Sequence, residues 1–319
     1  MKYCLLLLLT IIVIDGRAEN ITFADNGIKT LCVMNWDTNQ DGELSNEEAA
    51  AVTSLGQIFH GRTDIGSFNE LKYFTGLTTI DEYAFSESSV GPEITIPGSV
   101  KTISNHAFHK CNMLQRIIME EGVERVEYNA FYAPVAFWSI PASVTFLGDQ
   151  VINPNFTSGS VISSDGDLYV KIGSLVPPTI GTYVFYNVFG EGHLIVPMGC
   201  IEAYKSVAAW SHFGEYIEAG DVNRDGVLDQ TDVTLMEEMV NGNEDENVIK
   251  DIADINGDGV VNETDINLLK EYLGSTTAIT ETETATGTED GATYNLAGQR
   301  VDSSYRGLVI RNGRKYVQR

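Results

Sequence analysis

The chain has 319 residues, with 45 acidic against 20 basic side chains and a formal net charge of −25. That length suffices for two or three small domains with at least one substantial core, and 43% apolar residues with 13 Phe and 14 Tyr argue against wholesale disorder. So acidic a chain argues against nucleic acid as a partner, because phosphate binding needs a basic surface.

The first residues set the compartment. Met1-Lys2 precedes Leu5–Ile14, a stretch apolar apart from Thr10, and Gly16-Arg17-Ala18 supplies small residues at −3 and −1 of a cleavage site. Residues 1–18 read as a secretory signal peptide, too short to span a bilayer, and no later stretch is long and apolar enough for a transmembrane segment. The remaining cysteines, Cys32, Cys111 and Cys200, are odd in number and far apart. They read as buried small hydrophobes, with one bridge among them as the alternative.

Residues 19–67 read as an EF-hand-like N-terminal cap, with 7 acidic and 1 basic side chains between 19 and 53. Asp37, Asn39, Asp41, Glu43, Ser45 and Glu48 fall at positions 1, 3, 5, 7, 9 and 12 of a loop with Gly42 at position 6. Calcium takes six to eight hard oxygen ligands, and this spacing provides them, with Glu48 able to grip the ion through both oxygens as in an EF-hand. Ile28, Leu31, Cys32 and Met34 predict an entering helix, and Ala49–Val52 begin an exiting one. Because the loop is single, an ordinary solvated turn is the alternative.

Beyond it the chain repeats with a period of 23: Ile80-Asp-Glu-Tyr-Ala-Phe85, Ile103-Ser-Asn-His-Ala-Phe108 and Val126-Glu-Tyr-Asn-Ala-Phe131, with a looser copy at Leu147–Ile152. Between them lie Ile94-Thr-Ile96-Pro97, Ile117-Ile-Met119-Glu120 and Trp138-Ser-Ile140-Pro141. One such unit cannot cover its own apolar face, so stacked units sharing a core, a solenoid, are expected. The pattern resembles the BspA-type leucine-rich repeats of bacterial surface proteins over residues 68–218, ending in an aromatic cap at Trp210, Phe213 and Tyr216. That resemblance implies an inward Cys111. Residues 152–183 interrupt the period, and Asp165-Gly166-Asp167 suggests a hairpin insertion. Alternation along the strands turns Thr95, Ile118, Ser139 and Ile195 outward in one row, and Glu93, Arg116, Phe137 and His193 in the next. Ile118 beside Phe137 would be an exposed contact patch for a protein or glycan ligand; the alternative is that misalignment has turned core residues outward.

Residues 219–274 carry 15 acidic and 3 basic side chains. Asp221, Asn223, Asp225, Val227, Asp229 and Asp232 reproduce the twelve-residue loop, with Gly226 at position 6 and the Val227 carbonyl at position 7. Asp254, Asn256, Asp258, Val260, Asn262 and Asp265 repeat it 33 residues later. Each loop runs into a helical period, Val233, Leu235, Met236, Met239 and Val240 after the first and Ile266, Leu268, Leu269, Tyr272 and Leu273 after the second. The pair resembles a type I dockerin domain, which implies bound calcium and a cohesin-type partner contacted through loop positions 10 and 11. Those positions are Gln230-Thr231 and Glu263-Thr264, not the small hydroxyl pairs common in that family.

Residues 275–290 are rich in Thr and Glu and read as an extended linker. Residues 291–319 form a basic β tail with Asn312-Gly313 as a hairpin turn, and they resemble the end of type IX sorting domains. His60, His106, His109, His193 and His212 lack metal-ligand spacing, and no nucleophile elbow, phosphate loop or dinucleotide fingerprint appears. The expected fold is a mixed α/β leucine-rich repeat solenoid flanked by small α-helical calcium-binding modules, with a short C-terminal β-hairpin. The expected function is non-catalytic binding or adhesion outside the cell, with calcium as cofactor. The alternative is a dockerin-bearing subunit of an extracellular polysaccharide-degrading assembly docked onto a cohesin.

Overall fold

Asp25 opens helix α1 (Asn26–Trp36) by accepting a hydrogen bond from the Ile28 amide at 2.8 Å, and the helix buries Ile28, Leu31 and Cys32. Met34, expected on the same face, points to solvent and is 77% exposed. Ser45 and Glu48 close a reciprocal capping box at the start of α2 (Asn46–Ala51). The computed structural model describes residues 19–152, 168–185, 192–242 and 250–283, together with four short strands of the tail. Residues 1–18, Asp165-Gly166-Asp167 and Asn312-Gly313 lie outside the described residues.

The repeats alternate two kinds of strand. Two-residue strands β1 (Thr79–Ile80), β3 (Thr102–Ile103), β5 (Arg125–Val126), β7 (Phe146–Leu147) and β9 (Thr179–Ile180) form a five-stranded parallel sheet. Four-residue strands β2 (Glu93–Ile96), β4 (Arg116–Met119), β6 (Phe137–Ile140), β8 (Tyr169–Ile172), β10 (His193–Val196) and β11 (Glu215–Glu218) form a six-stranded parallel sheet. Between β10 and β11 the chain makes the short helix α3 (Ile201–Lys205). Period-two alternation puts Ile94, Ile117, Trp138, Val170 and Leu194 in one fully buried row.

A second row of contacts runs along the turns. Phe59, Phe85, Phe108 and Phe131 stack face to face, with successive centroids 4.9, 4.8 and 5.0 Å apart. The amides of Phe85, Phe108 and Phe131 donate to the carbonyls of Ala107, Ala130 and Val151 in the next turn. In each turn the residue two before the last aromatic or aliphatic position is left-handed: Tyr83, His106, Asn129, Gln150 and Tyr183 have φ between 53° and 59°. A non-glycine residue there costs about 1–2 kcal/mol, which the turn-to-turn bonds and buried rings offset. Cys111 is buried as expected and its thiol donates to the Phe85 carbonyl at 3.0 Å; burial pushes that thiol up to about 12. No disulfide joins Cys32, Cys111 and Cys200, so the alternative of one bridge among them is not formed.

The ring stack begins at Phe59, and one hydrophobic cluster runs from Ile21 to Phe213, so the N-terminal segment packs continuously with the solenoid core, as a cap does. The period does break between 152 and 183, but residues 168–183 still supply β8 and β9, a full turn that lies 32 residues in register beyond β6 instead of 23.

The C-terminal third contains α4 (Gln230–Val240), α5 (Lys250–Ala253) and α6 (Glu263–Glu283). Helix α6 runs on through 283, so the first half of the expected extended linker is helical. Nothing in Ser275–Glu283 breaks a helix already nucleated upstream, since it contains neither Gly nor Pro. The tail is a four-stranded antiparallel sheet and not a lone hairpin: β12 (Thr293–Asn295) lies between β13 (Arg300–Val301) and β14 (Gly307–Arg311), and β15 (Arg314–Gln318) pairs with β14.

Candidate functional site: the acidic loops and the sheet they sit on

The three twelve-residue loops share one internal hydrogen-bond plan. The position-12 carboxylate gathers the amides of positions 2, 3 and 9: Glu48 from Thr38, Asn39 and Ser45, Asp232 from Val222, Asn223 and Asp229, and Asp265 from Ile255, Asn256 and Asn262. The position-3 Asn oxygen accepts the position-5 amide, and the position-5 Asp accepts the position-7 amide, in all three. The glycine at position 6 is left-handed each time, Gly42 at φ 84°, Gly226 at 82° and Gly259 at 85°, a turn that L side chains rarely adopt. Ser45 and Glu43, at positions 9 and 7 of the first loop, are engaged by the Glu48 carboxylate and by Lys29 at 2.7 Å.

One observation at the 221–232 loop, independent of spacing, is compatible with a bound cation. Asp221 is 4% exposed, and its Oδ1 is buried without a hydrogen-bond partner, while Oδ2 accepts from Gly226. An orphaned buried carboxylate oxygen costs free energy unless a cation or a proton satisfies it. Burial pushes the Asp221 carboxyl above its ordinary value, against the bond from Gly226, and the Asp232 and Asp225 carboxylates add to the rise. Among the described residues, no group of three or more His, Cys, Asp and Glu side chains converges as a metal site. Each loop's expected donor set nonetheless contains at least three carboxylates, and in this structure those carboxylates do not converge on one point.

The tandem-loop module does not hang free. Its helices bury Val233, Met236, Ile252, Ile266 and Leu269 in a cluster that includes Phe137, Ile195 and Ile217 of the six-stranded sheet. Outward residues of that sheet therefore face the chain's own module. Phe137, expected to be exposed, is 7% exposed and lies under the Arg116 guanidinium, 3.8 Å from the ring centroid. Ile118 is half-buried and lines a cleft of about 580 Å³ between sheet and module, with Phe137, Lys171, Met239 and Val260. The open patch centred on these two residues is thus corrected to an internal contact.

Charged pairs pin the module down at three points. Arg116 grips Asp251 with both terminal nitrogens, one at 2.9 Å, and Glu93 through Nε at 3.1 Å. Lys171, itself buried, donates to the Asp254 carbonyl and to its Oδ2 at 3.1 Å. Arg224, at position 4 of the second acidic loop, pairs with Glu215 and reaches the Tyr169 hydroxyl at 3.4 Å, while His193 stacks on Tyr169 at 4.2 Å and bonds Glu215. Burial would raise the Glu215 carboxyl, but Arg224 and His193 outweigh it and hold it below the ordinary value. Sequence reasoning placed Arg116 and His193 on this face but missed Tyr169 and Lys171 between them. Setting Val170 beside Trp138 would have found both.

Gln230 and Thr231 open α4, and Glu263 and Thr264 open α6; all four are exposed. The Thr231 and Thr264 amides bond Asp229 and Asn262 at 2.6 and 2.7 Å, which fixes these residues at the helix starts.

Comparison with known proteins divides the chain the same way. Residues 58–158 match the family model of the BspA type leucine rich repeat region, in six copies, and residues 219–274 match the dockerin type I domain. No curated protein matches the chain. Among solved structures, the crystal structure of the pneumococcal vaccine antigen PcpA is similar at 14% identity and a TM-score of 0.24, covering 46% of this chain. The aligned part spans about half of that protein, 51% of its length. Both matched regions are non-catalytic binding modules. No helix among the described residues is long and apolar enough to cross a membrane.

Proposed function

We propose that this is an exported, non-catalytic binding protein whose dockerin domain, loaded with calcium, docks onto a cohesin-type partner through Gln230, Thr231, Glu263 and Thr264. The observation that carries the reading is the division of the module's surface. One side is buried on the solenoid, while both helix starts stay exposed in the seated position. Asp221, Asn223, Asp225, Asp229 and Asp232, and Asp254, Asn256, Asp258, Asn262 and Asp265, with the carbonyls of Val227 and Val260, would hold the two ions. Asp37, Asn39, Asp41, Glu43, Ser45 and Glu48 would hold a third in the cap. Calcium there neutralises clustered carboxylates, and the protein's own residues set the loop geometry that receives it.

A second reading, adhesion to a protein or glycan through the solenoid, is favoured by the exposed rings of His60, Tyr128 and Tyr183 on its turns. Capture on immobilised cohesin modules, with calcium and with chelator, separates the two. The docking reading expects calcium-dependent capture, lost in Thr231→Arg with Thr264→Arg while the fold stands. Failure of every cohesin tested, with the calcium loops loaded, would leave adhesion in its place.

A further inference from the structure

Lys171 occupies an unusual place. It projects from the middle of the six-stranded sheet, its side chain is 8% exposed, and it bonds Asp254, the position-1 residue of the third acidic loop, through both carboxylate and carbonyl. Its sheet neighbours on the same row, Ser139 and Ile195, carry no charge. The preceding loop has no such intruder. Asp221 keeps an unpartnered oxygen, and the cation that fastens that loop, Arg224, belongs to a residue outside the expected ligand set and turns away to Glu215.

We infer that Lys171 is a positioning residue that sets the two dockerin loops apart in calcium affinity and ties the filling of the 254–265 loop to the module's seat on the solenoid. The inference rests on the calcium reading above. Lys171 supplies one positive charge to Asp254 in the seated module. A divalent cation entering the same loop meets that ammonium at close range beside Asp254, and because Lys171 and Asp254 are both buried, like charges there are poorly screened. Seating therefore weakens ion binding at this loop, and by reciprocity a bound ion weakens the seat. The 221–232 loop escapes the penalty. The solenoid thus acts as a built-in competitor for one loop of the pair, and calcium entering that loop loosens the module.

The test is a calorimetric calcium titration of the full chain at fixed ionic strength, with Asp258→Ala identifying the heat that belongs to the 254–265 loop. Lys171→Met keeps the stem and removes the charge; it should tighten that site on the order of tenfold and leave the other site unchanged. Lys171→Arg keeps the charge and should leave the wild-type value in place. An unchanged or weakened site in Lys171→Met overturns the inference while leaving calcium binding intact, whereas no heat at all in the wild type overturns the calcium reading itself. A measurement on the unsubstituted chain serves if the variant fails to fold: acetylation of the Lys171 amine, quantified by peptide mass, should rise on adding calcium. No rise, or a fall, contradicts the coupling.

Discussion

Loops 221–232 and 254–265 have the same backbone plan and different surroundings. In both, a fully buried Asp at position 12 collects three amides, and a left-handed Gly at position 6 makes the turn. Their position-1 residues diverge. Asp221 holds a buried oxygen with no partner, while Asp254 is fastened by Lys171 of the sheet. Local sequence dictates the shape of each loop; the solenoid dictates the charge it feels. A repeated motif can therefore carry two different sites.

Removing one charge at a time sharpens this contrast. In chelator, Asp254→Asn leaves the Lys171 ammonium buried beside a neutral amide, and breaking a buried pair in that way costs about 3 kcal/mol. Asp221→Asn removes a carboxylate that has no cation partner, and its effect on the melting temperature should be small by comparison. Equal losses from the two substitutions would erase the distinction between the loops.

A smaller effect belongs to the other anchor. Glu215 is held below its ordinary value of 4.5 by Arg224 and His193, against the rise that burial causes. A carboxylate depressed in the folded state contributes stability that is present above the unfolded pKa and lost as pH falls through the folded one. The seat of the 221–232 loop should therefore weaken as pH drops below about 4.5. Melting curves taken from pH 7 downward should show this slope in the wild type and a shallower one in Glu215→Gln. Equal slopes would remove Glu215 from the account.

Much of this architecture is legible in the sequence, because short-range patterns encode it. The repeat, with steps of 23 and then 21 residues, gives the buried row Ile94, Ile117 and Trp138 and the register of Thr95 with Ile118 and Ser139, and the loop spacing gives all three acidic turns. The missing rung, Tyr169 and Lys171, follows an insertion after Ile152 that throws off any fixed period, although Val170 keeps the inward alternation. The covering of Phe137 is illegible for a different reason. An outward apolar side chain on an open solenoid and one beneath a docked module have the same local sequence, and long-range contacts such as that of Arg116 with Asp251, 135 residues apart, tell them apart. Helix α6 outran its expected end because composition marks a segment as polar without saying whether a helix already running into it will stop.

That long-range pair offers the most direct test of the claim that the dockerin domain sits on the solenoid's six-stranded sheet. In a double-mutant cycle on the full chain, Arg116→Gln, Asp251→Asn and both together are compared by thermal unfolding in chelator. The seated arrangement predicts a coupling of about 1–2 kcal/mol, with the second substitution costing little once the first is made. Losses that simply add, to within about 0.5 kcal/mol, would mean that the two residues do not meet and that the domain is not seated there.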